Sequence, residues 1–206
     1  MTDILSEEYR LIQQRTKAMA LSQIPPRYMQ CTFENFTQRK GAEKALAVAQ
    51  EWAETKDFGD RSFSLVGEPG AGKTHLAAAA IRHQIMVNNL TKARFLNVPI
   101  FLDQIRASFK FTESDAQDLF KFCCEHASIV VLDDFGKEKA TDWATERLYV
   151  LIESRYQKML PTIITSNKTL DELDDLGYGA AISRLQQTSR FVRVEAGDMR
   201  PELGKR

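Results

Sequence analysis

The chain has 206 residues, enough for one α/β domain with a sizeable core and a small appendage. Its 28 basic and 28 acidic residues cancel, which excludes coating nucleic acid by charge alone but leaves room for a local basic groove. Three scattered histidines and three cysteines (Cys31, Cys123, Cys124) show no metal-ligand spacing and read as ordinary helix positions and as reduced thiols of a cytoplasmic protein. No apolar run approaches a membrane span, and the acidic N-terminus is no signal peptide.

Residues from about Asp3 to Gln23 read as a helix with Ile4, Leu5, Leu11, Ile12, Met19 and Leu21 as apolar positions, stopped by Ile24-Pro25-Pro26. It is either a core-packing helix or a detachable partner-binding arm behind a proline hinge. Cys31-Thr32-Phe33-Glu34-Asn35-Phe36 then leads into a helix from about Gln38 to Lys56, with Ala42, Ala45, Leu46, Ala49 and Trp52 at helical spacing.

The most informative stretch follows. Gly67-Glu68-Pro69-Gly70-Ala71-Gly72-Lys73-Thr74 fits G-x-x-x-x-G-K-[ST], between the β-prone run Ser62-Phe63-Ser64-Leu65-Val66 and the helix-forming run His75-Leu76-Ala77-Ala78-Ala79-Ala80-Ile81. Strand, glycine loop and helix are the context a phosphate-binding P-loop needs. Glycines let backbone N–H groups curl around phosphates, and the helix N-terminus adds partial positive charge. Lys73 is expected to reach the β- and γ-phosphates of ATP, and the Thr74 hydroxyl to ligate Mg²⁺.

Ala93 to Val98 reads as a second strand. Pro99 opens a helix through Phe101, Leu102, Ile105 and Phe109, and another covers about Glu113 to Glu125. Ser128-Ile129-Val130-Val131-Leu132 is an apolar run of the kind found in a central parallel strand, and Asp133-Asp134 follows at its carboxyl end. Asp133 is expected to orient Mg²⁺ through water and Asp134 to polarise an attacking water. Two adjacent carboxylates repel unless a cation sits nearby. A helix from about Trp143 to Gln157, a strand over Pro161 to Ser166, a helical stretch near Ala180 to Gln187 and a strand over Phe191 to Val194 complete the chain. Asn167, just past the fourth strand, is placed to hold the hydrolytic water and sense the γ-phosphate. Alternating strands and helices imply an α/β fold with a parallel sheet covered on both faces.

In order, these pieces resemble an AAA+ ATPase with Walker A, Walker B and sensor 1. More narrowly, the chain resembles the DnaC/DnaI-type helicase loaders and the IstB-type transposition helper ATPases. Phe33-Glu34-Asn35-Phe36, Gly70 to Ala79 with its His75-Leu76-Ala77, Asp133-Asp134-Phe135-Gly136, Glu153-Ser154-Arg155-Tyr156, Pro161 to Asn167 and Ile182-Ser183-Arg184-Leu185 carry that resemblance, from about Phe33 to Arg200. It implies an N-terminal helical arm over 1–30 and an AAA+ domain over 31–206, with Gly67 to His75 forming the nucleotide-binding stretch. It implies that Arg184 is an arginine finger entering a neighbouring subunit's site, worth ~10³–10⁵ in rate, and that Arg200 is a sensor 2 residue. The stretch from about Pro99 to His126 corresponds to the insertion by which loaders contact single-stranded DNA. Arg106, Lys110 and Lys121 are its candidate phosphate contacts, and Phe109 and Phe111 its candidate stacking residues.

The implied activity is slow, DNA- or assembly-stimulated ATP hydrolysis that loads a hexameric replicative helicase onto single-stranded DNA, with self-assembly into a ring or spiral. The Asp-Asp pair departs from the Asp-Glu of many AAA+ proteins, and only about thirty residues precede the core where loaders usually carry a larger helicase-gripping domain. Two alternatives share this core: a transposition helper, and a nucleotide-gated adaptor with negligible turnover. A small-molecule kinase is disfavoured by the Thr165-Ser166-Asn167 sensor and the absence of an arginine-rich lid.

Overall fold

The computed structural model describes residues 2–55, 61–109 and 115–198. Five strands, β1 (Ser62–Gly67), β2 (Ala93–Asn97), β3 (Ile129–Asp133), β4 (Thr162–Ser166) and β5 (Ser189–Val194), pair in parallel in the order β2-β3-β4-β1-β5. The glycine-loop strand β1 and the acidic strand β3 are therefore not neighbours; β4 runs between them. The ends of β1, β4 and β3 stand side by side at the carboxyl edge of the sheet, where open α/β sheets bind ligands.

Period-two alternation divides each strand between the two faces. Phe63, Leu65, Phe95, Ile129, Val131, Ile163 and Val192 pack with α1 (Thr2–Leu21), α2 (Glu43–Glu54) and α3 (Lys73–Met86). Leu96, Val130, Leu132 and Ile164 pack with α4 (Val98–Ser108), α5 (Asp115–Glu125), α6 (Asp142–Gln157), α7 (Leu170–Leu173) and α8 (Gly179–Thr188). Each fully buried aliphatic side chain contributes roughly 1.5–3 kcal/mol. The small residues Ala77 to Ala80, all 2% exposed or less, let α3 lie close beneath the glycine-loop edge.

The α/β class and the two-sided cover agree with expectation, and several boundaries move. Helix α1 ends at Leu21, and Gln23 turns the chain at φ 61°. Ala18, Ser22 and Ile24 are buried, and the Ser22 carbonyl accepts from Phe95 N of β2 at 2.7 Å, so this end of α1 packs on the core. Further out, Tyr9 and Ile12 are exposed. Helix α2 starts at Glu43 because Gly41 bends the backbone at φ +91°, with the backbone of Glu195 only 2.9 Å from where a Cβ would stand. A 3-10 turn at Pro26–Tyr28, the four-residue α7 with its Thr169–Glu172 capping box, and a π turn at Asp174–Tyr178 were not foreseen; each is too short to show a period. No helix among the described residues is long and apolar enough to cross a membrane.

Candidate nucleotide-binding site

Strand β1 hands over to α3 through a loop that only glycine can follow at Gly67, Gly70 and Gly72, all at positive φ. Gly67 has φ +145°, and a Cβ there would lie 2.2 Å from the Val194 carbonyl oxygen at the end of β5. Gly72, just before α3, has φ +92°, and a Cβ would meet the Phe36 ring at 2.6 Å. Lys73 opens the helix and is 5% exposed; its Nζ donates to the carbonyls of Gly67 and Glu68, each at 2.7 Å. The ammonium is thus folded back over the loop whose N–H groups face an incoming anion.

The acidic half meets this loop through Asp133. Its carboxylate is buried, and its Oδ1 accepts from Thr74 Oγ1 at 2.9 Å and from Thr165 Oγ1 at 2.6 Å. Burial pushes the Asp133 carboxyl above its ordinary range, with the two threonine hydrogen bonds acting the other way. Asp134 adopts φ 61°, a left-handed conformation that Asp tolerates better than most residues. Its N–H donates to Thr165 Oγ1 at 3.2 Å, and its Oδ2 accepts from Asn97 Nδ2 at 3.2 Å and Lys137 Nζ at 3.1 Å. Asn97 and Lys137 were not among the expected site residues, and Thr165 was expected only as part of the Thr165-Ser166-Asn167 sensor, with no role for its own hydroxyl. Asn97 and Thr165 stand near strand ends whose adjacency to the acidic pair depends on strand order.

Gly70, Gly72, Lys73, Thr74, His75, Asp134, Thr165 and Asn167 line one cleft of about 330 Å³. Its other wall is unforeseen. Arg27, Tyr28, Cys31, Asn35, Phe36 and Thr37 come from a strap between α1 and α2. His75 anchors that strap: its Nε2 lies 2.8 Å from the Thr32 carbonyl, and its ring meets Phe36 edge-on at 5.2 Å. Burial lowers the His75 pKa, so the neutral ring donates Nε2–H to Thr32. Asn35 shapes the strap itself, accepting from Thr32 N at 2.9 Å and donating to the Gln30 carbonyl at 2.7 Å. Burial pushes the Cys31 thiol up to about 11, so it is un-ionised at neutral pH.

A glycine loop, a buried aspartate tied to the loop threonine, and a polar strand end between them are the arrangement that a nucleotide's phosphates call for. The family model described as IstB-like ATP binding protein matches residues 1–202. The chain belongs to the IstB-like ATP-binding family. Protein YqaM of Bacillus subtilis (strain 168) is 26% identical over 200 residues, covering 88% of this chain and 60% of the relative. The replicative helicase loader DnaC of Escherichia coli (strain K12) is 24% identical over 156 residues, covering 75% of this chain and 62% of the loader. The crystal structure of the DnaC helicase loader matches with a TM-score of 0.73 at 22% identity, over 83% of this chain and 100% of that one. This chain spans about 60% of the length of the curated relatives it matches.

In this IstB-like protein, Arg184, Arg106, Phe109 and Lys121 do not line the cleft. Arg184, on α8, donates Nε–H to Glu153 Oε2 at 2.7 Å and lines a small cavity with Thr162. Thr162 opens β4 and Asn167 follows its end, five residues or about 16 Å along the strand. Arg106 stacks on Trp143 with its guanidinium 4.8 Å from the ring centroid. The exposed Phe109 meets the same ring edge-on at 6.0 Å. Lys121 is exposed on α5. Lys110, Phe111 and Arg200 lie outside the described residues.

Proposed function

We propose that this chain is an ATP-dependent loader of a hexameric replicative helicase onto single-stranded DNA, hydrolysing ATP between its own subunits. The observation that carries the reading is the division of the machinery. Lys73, Thr74, Asp133, Asp134 and Asn167 converge at one sheet edge, while Arg184 is held away from it. An Arg184 can complete a site only from a second copy. Head-to-tail contacts of this kind build rings or spirals.

The residues suit MgATP. The P-loop N–H groups and Lys73 hold the β- and γ-phosphates. Asp133 is a buried carboxylate with the Thr74 hydroxyl on one oxygen, a donor set suited to a hard divalent cation. Thr74 and, through water, Asp133 would hold Mg²⁺, which would supply positive charge against the phosphates. Asp134 accepts the proton of a water held by Asn167 as that water's oxygen bonds to the γ-phosphorus; the bond to the β–γ bridging oxygen breaks, and ADP and phosphate leave. Arg184 of a neighbour stabilises the charge on the transferring group. Arg106, Phe109 and Trp143 offer a cation and aromatic faces to single-stranded DNA, with Lys110 as a further phosphate contact. Arg200 is proposed as a sensor 2 residue, and the outer part of α1, with Tyr9 and Ile12 exposed, as the helicase-binding segment.

Two observations favour neighbouring readings. The IstB-like match suits a transposition helper with the same core and a transposase as partner. The pairing of Asp134 with Lys137 and Asn97 suits a nucleotide-gated adaptor, because it engages the proposed base. ATP turnover, measured with and without single-stranded DNA across protein concentrations, separates them. Turnover rising steeply with concentration and stimulated by DNA is the loader's signature. Flat, DNA-independent turnover overturns it, and capture of a transposase instead of a helicase selects the helper.

A further inference from the structure

The side chain of Arg184 is not left to wander. Tyr149, Glu153 and Gln157 recur every four residues on α6 and so share one helix face. Glu153 uses both oxygens: Oε1 accepts from Gln157 Nε2 at 2.8 Å, and Oε2 from Arg184 Nε at 2.7 Å. The guanidinium lies 5.7 Å from the Tyr149 ring centroid, with Nη2 3.5 Å from the Tyr149 hydroxyl. A second tether, Tyr156 OH to Gln187 Oε1 at 2.7 Å, locks the same two helices together.

The point of attachment matters. A guanidinium carries five N–H donors in a planar fork. Glu153 takes the one on Nε, the hydrogen nearest the aliphatic stem, so the terminal Nη groups can meet phosphoryl oxygens while the ion pair stays intact. A carboxylate across the Nη edge would have to be displaced; at Nε it restricts the rotamers and aims the fork. The pair is partly exposed, with side chains 32% and 21% accessible, and such pairs contribute little to stability.

We propose that Glu153 is a positioning residue that aims the Arg184 finger at the neighbouring subunit's γ-phosphate. This rests on the reading of Arg184 as a finger acting in trans. The test uses the full chain as Glu153→Ala, Glu153→Gln, Arg184→Ala and the double alanine variant. Turnover (kcat and KM for ATP at assembling protein concentrations) and self-assembly (sedimentation with ADP and aluminium fluoride as a transition-state mimic) are measured with single-stranded DNA present, and thermal unfolding checks the fold of each variant. Glu153→Ala is expected to lower kcat by at least about tenfold and to raise by a similar factor the protein concentration needed for assembly, since small misplacements of catalytic groups carry large rate costs. KM and melting temperature stay at wild-type values. Glu153→Gln, which keeps an acceptor oxygen, recovers most of the loss, and adding Glu153→Ala to Arg184→Ala costs nothing more. A Glu153→Ala protein that turns over and assembles like wild type overturns the positioning role while Arg184→Ala still shows the finger. If Arg184→Ala itself behaves as wild type in both measurements, the finger reading fails and this proposal with it.

Discussion

Thr165 donates its hydroxyl to Oδ1 of Asp133 at 2.6 Å, the same oxygen that accepts from Thr74 at 2.9 Å. One carboxylate oxygen thereby fastens the end of β3 to the end of β4 and to the first turn of α3. The carboxylate is 4% exposed, and burial holds its pKa above the ordinary range, so retaining the charge at neutral pH costs stability. Asp133→Asn keeps an oxygen acceptor for both threonines and removes that charge. It is expected to stabilise the nucleotide-free protein by about 1 kcal/mol while losing most of the stabilisation that MgATP confers. Thermal unfolding at pH 7 with and without MgATP checks both halves. A destabilised variant that still responds fully to MgATP would remove Asp133 from the metal site.

Lys73 is 5% exposed and directs its ammonium at two loop carbonyls, 2.7 Å from each. A bound triphosphate offers the same ammonium charged acceptors instead of neutral ones, and charge-assisted hydrogen bonds are roughly twice as strong. Lys73→Ala is expected to weaken nucleotide binding by about 10- to 100-fold, the range of one hydrogen bond to a charged group. Titration with a fluorescent ATP analogue measures it, and an unchanged affinity sinks the phosphate role.

The glycine loop, the acidic pair and Asn167 were legible because each is a local pattern: a spaced glycine motif, or polar residues straight after an apolar strand. The strap that walls the cleft was not legible as a site. Its anchor joins Thr32 to His75, 43 positions apart, and Phe36 acquires its role only where Gly72 leaves room for the ring. Asn97 and Thr165 sit near ordinary strand ends until β2-β3-β4 adjacency brings them to Asp134 and Asp133. Trp143 looked like a helix-opening apolar residue; only the packing of α6 on the end of α4 sets it against Arg106 and Phe109.

Phe109 is 58% exposed, so its ring contributes little to the core and is available to a stacking base. Phe109→Ala is expected to weaken single-stranded DNA binding by roughly tenfold, within the range of one base–aromatic stack. The melting temperature should hold. Fluorescence anisotropy with a labelled oligonucleotide gives the affinity, and wild-type binding by Phe109→Ala would move the DNA path elsewhere.

Glu138 follows the acidic pair in a loop and turns inward. Its carboxyl pairs with the Tyr178 hydroxyl and with Gly136 N, the latter at 3.2 Å, and burial pushes its pKa above the ordinary 4.5. The native state therefore binds this proton more tightly than the unfolded chain does. Its contribution to stability is complete below about pH 4.5 and is lost as pH rises through the raised native value. Glu138→Gln cannot ionise. It should match wild type at acid pH and become progressively more stable than wild type above pH 4.5, levelling off beyond the native pKa. Urea unfolding of both proteins across pH checks the sign; a gap that shrinks with rising pH would contradict it.

Arg155 is fully buried, yet none of its hydrogen-bond acceptors is a carboxylate. Nε donates to Thr162 Oγ1 at 2.9 Å, Nη1 to the carbonyls of Cys123 at 2.6 Å and Ala127 at 2.9 Å, and Nη2 to the Pro161 carbonyl at 2.8 Å. The planar fork thus satisfies carbonyls at the end of α5 and ties them to the start of β4. Burial lowers its pKa to about 10, which still leaves it charged at neutral pH. Arg155→Ala strands three carbonyls and a hydroxyl in the core and is expected to destabilise the protein by about 3–5 kcal/mol, the scale for breaking a buried charged network. Lysine cannot reproduce four bonds in two dimensions, so Arg155→Lys should lose at least about 1 kcal/mol. The neighbouring Cys123 and Cys124 thiols, pushed up by burial to about 12 and about 11, supply a second readout. They are shielded in the native protein, so labelling by a thiol reagent tracks opening of this region. Arg155→Ala should accelerate labelling alongside its loss in urea stability, and a variant with wild-type stability and labelling would mean that α5 and β4 are held by apolar packing alone.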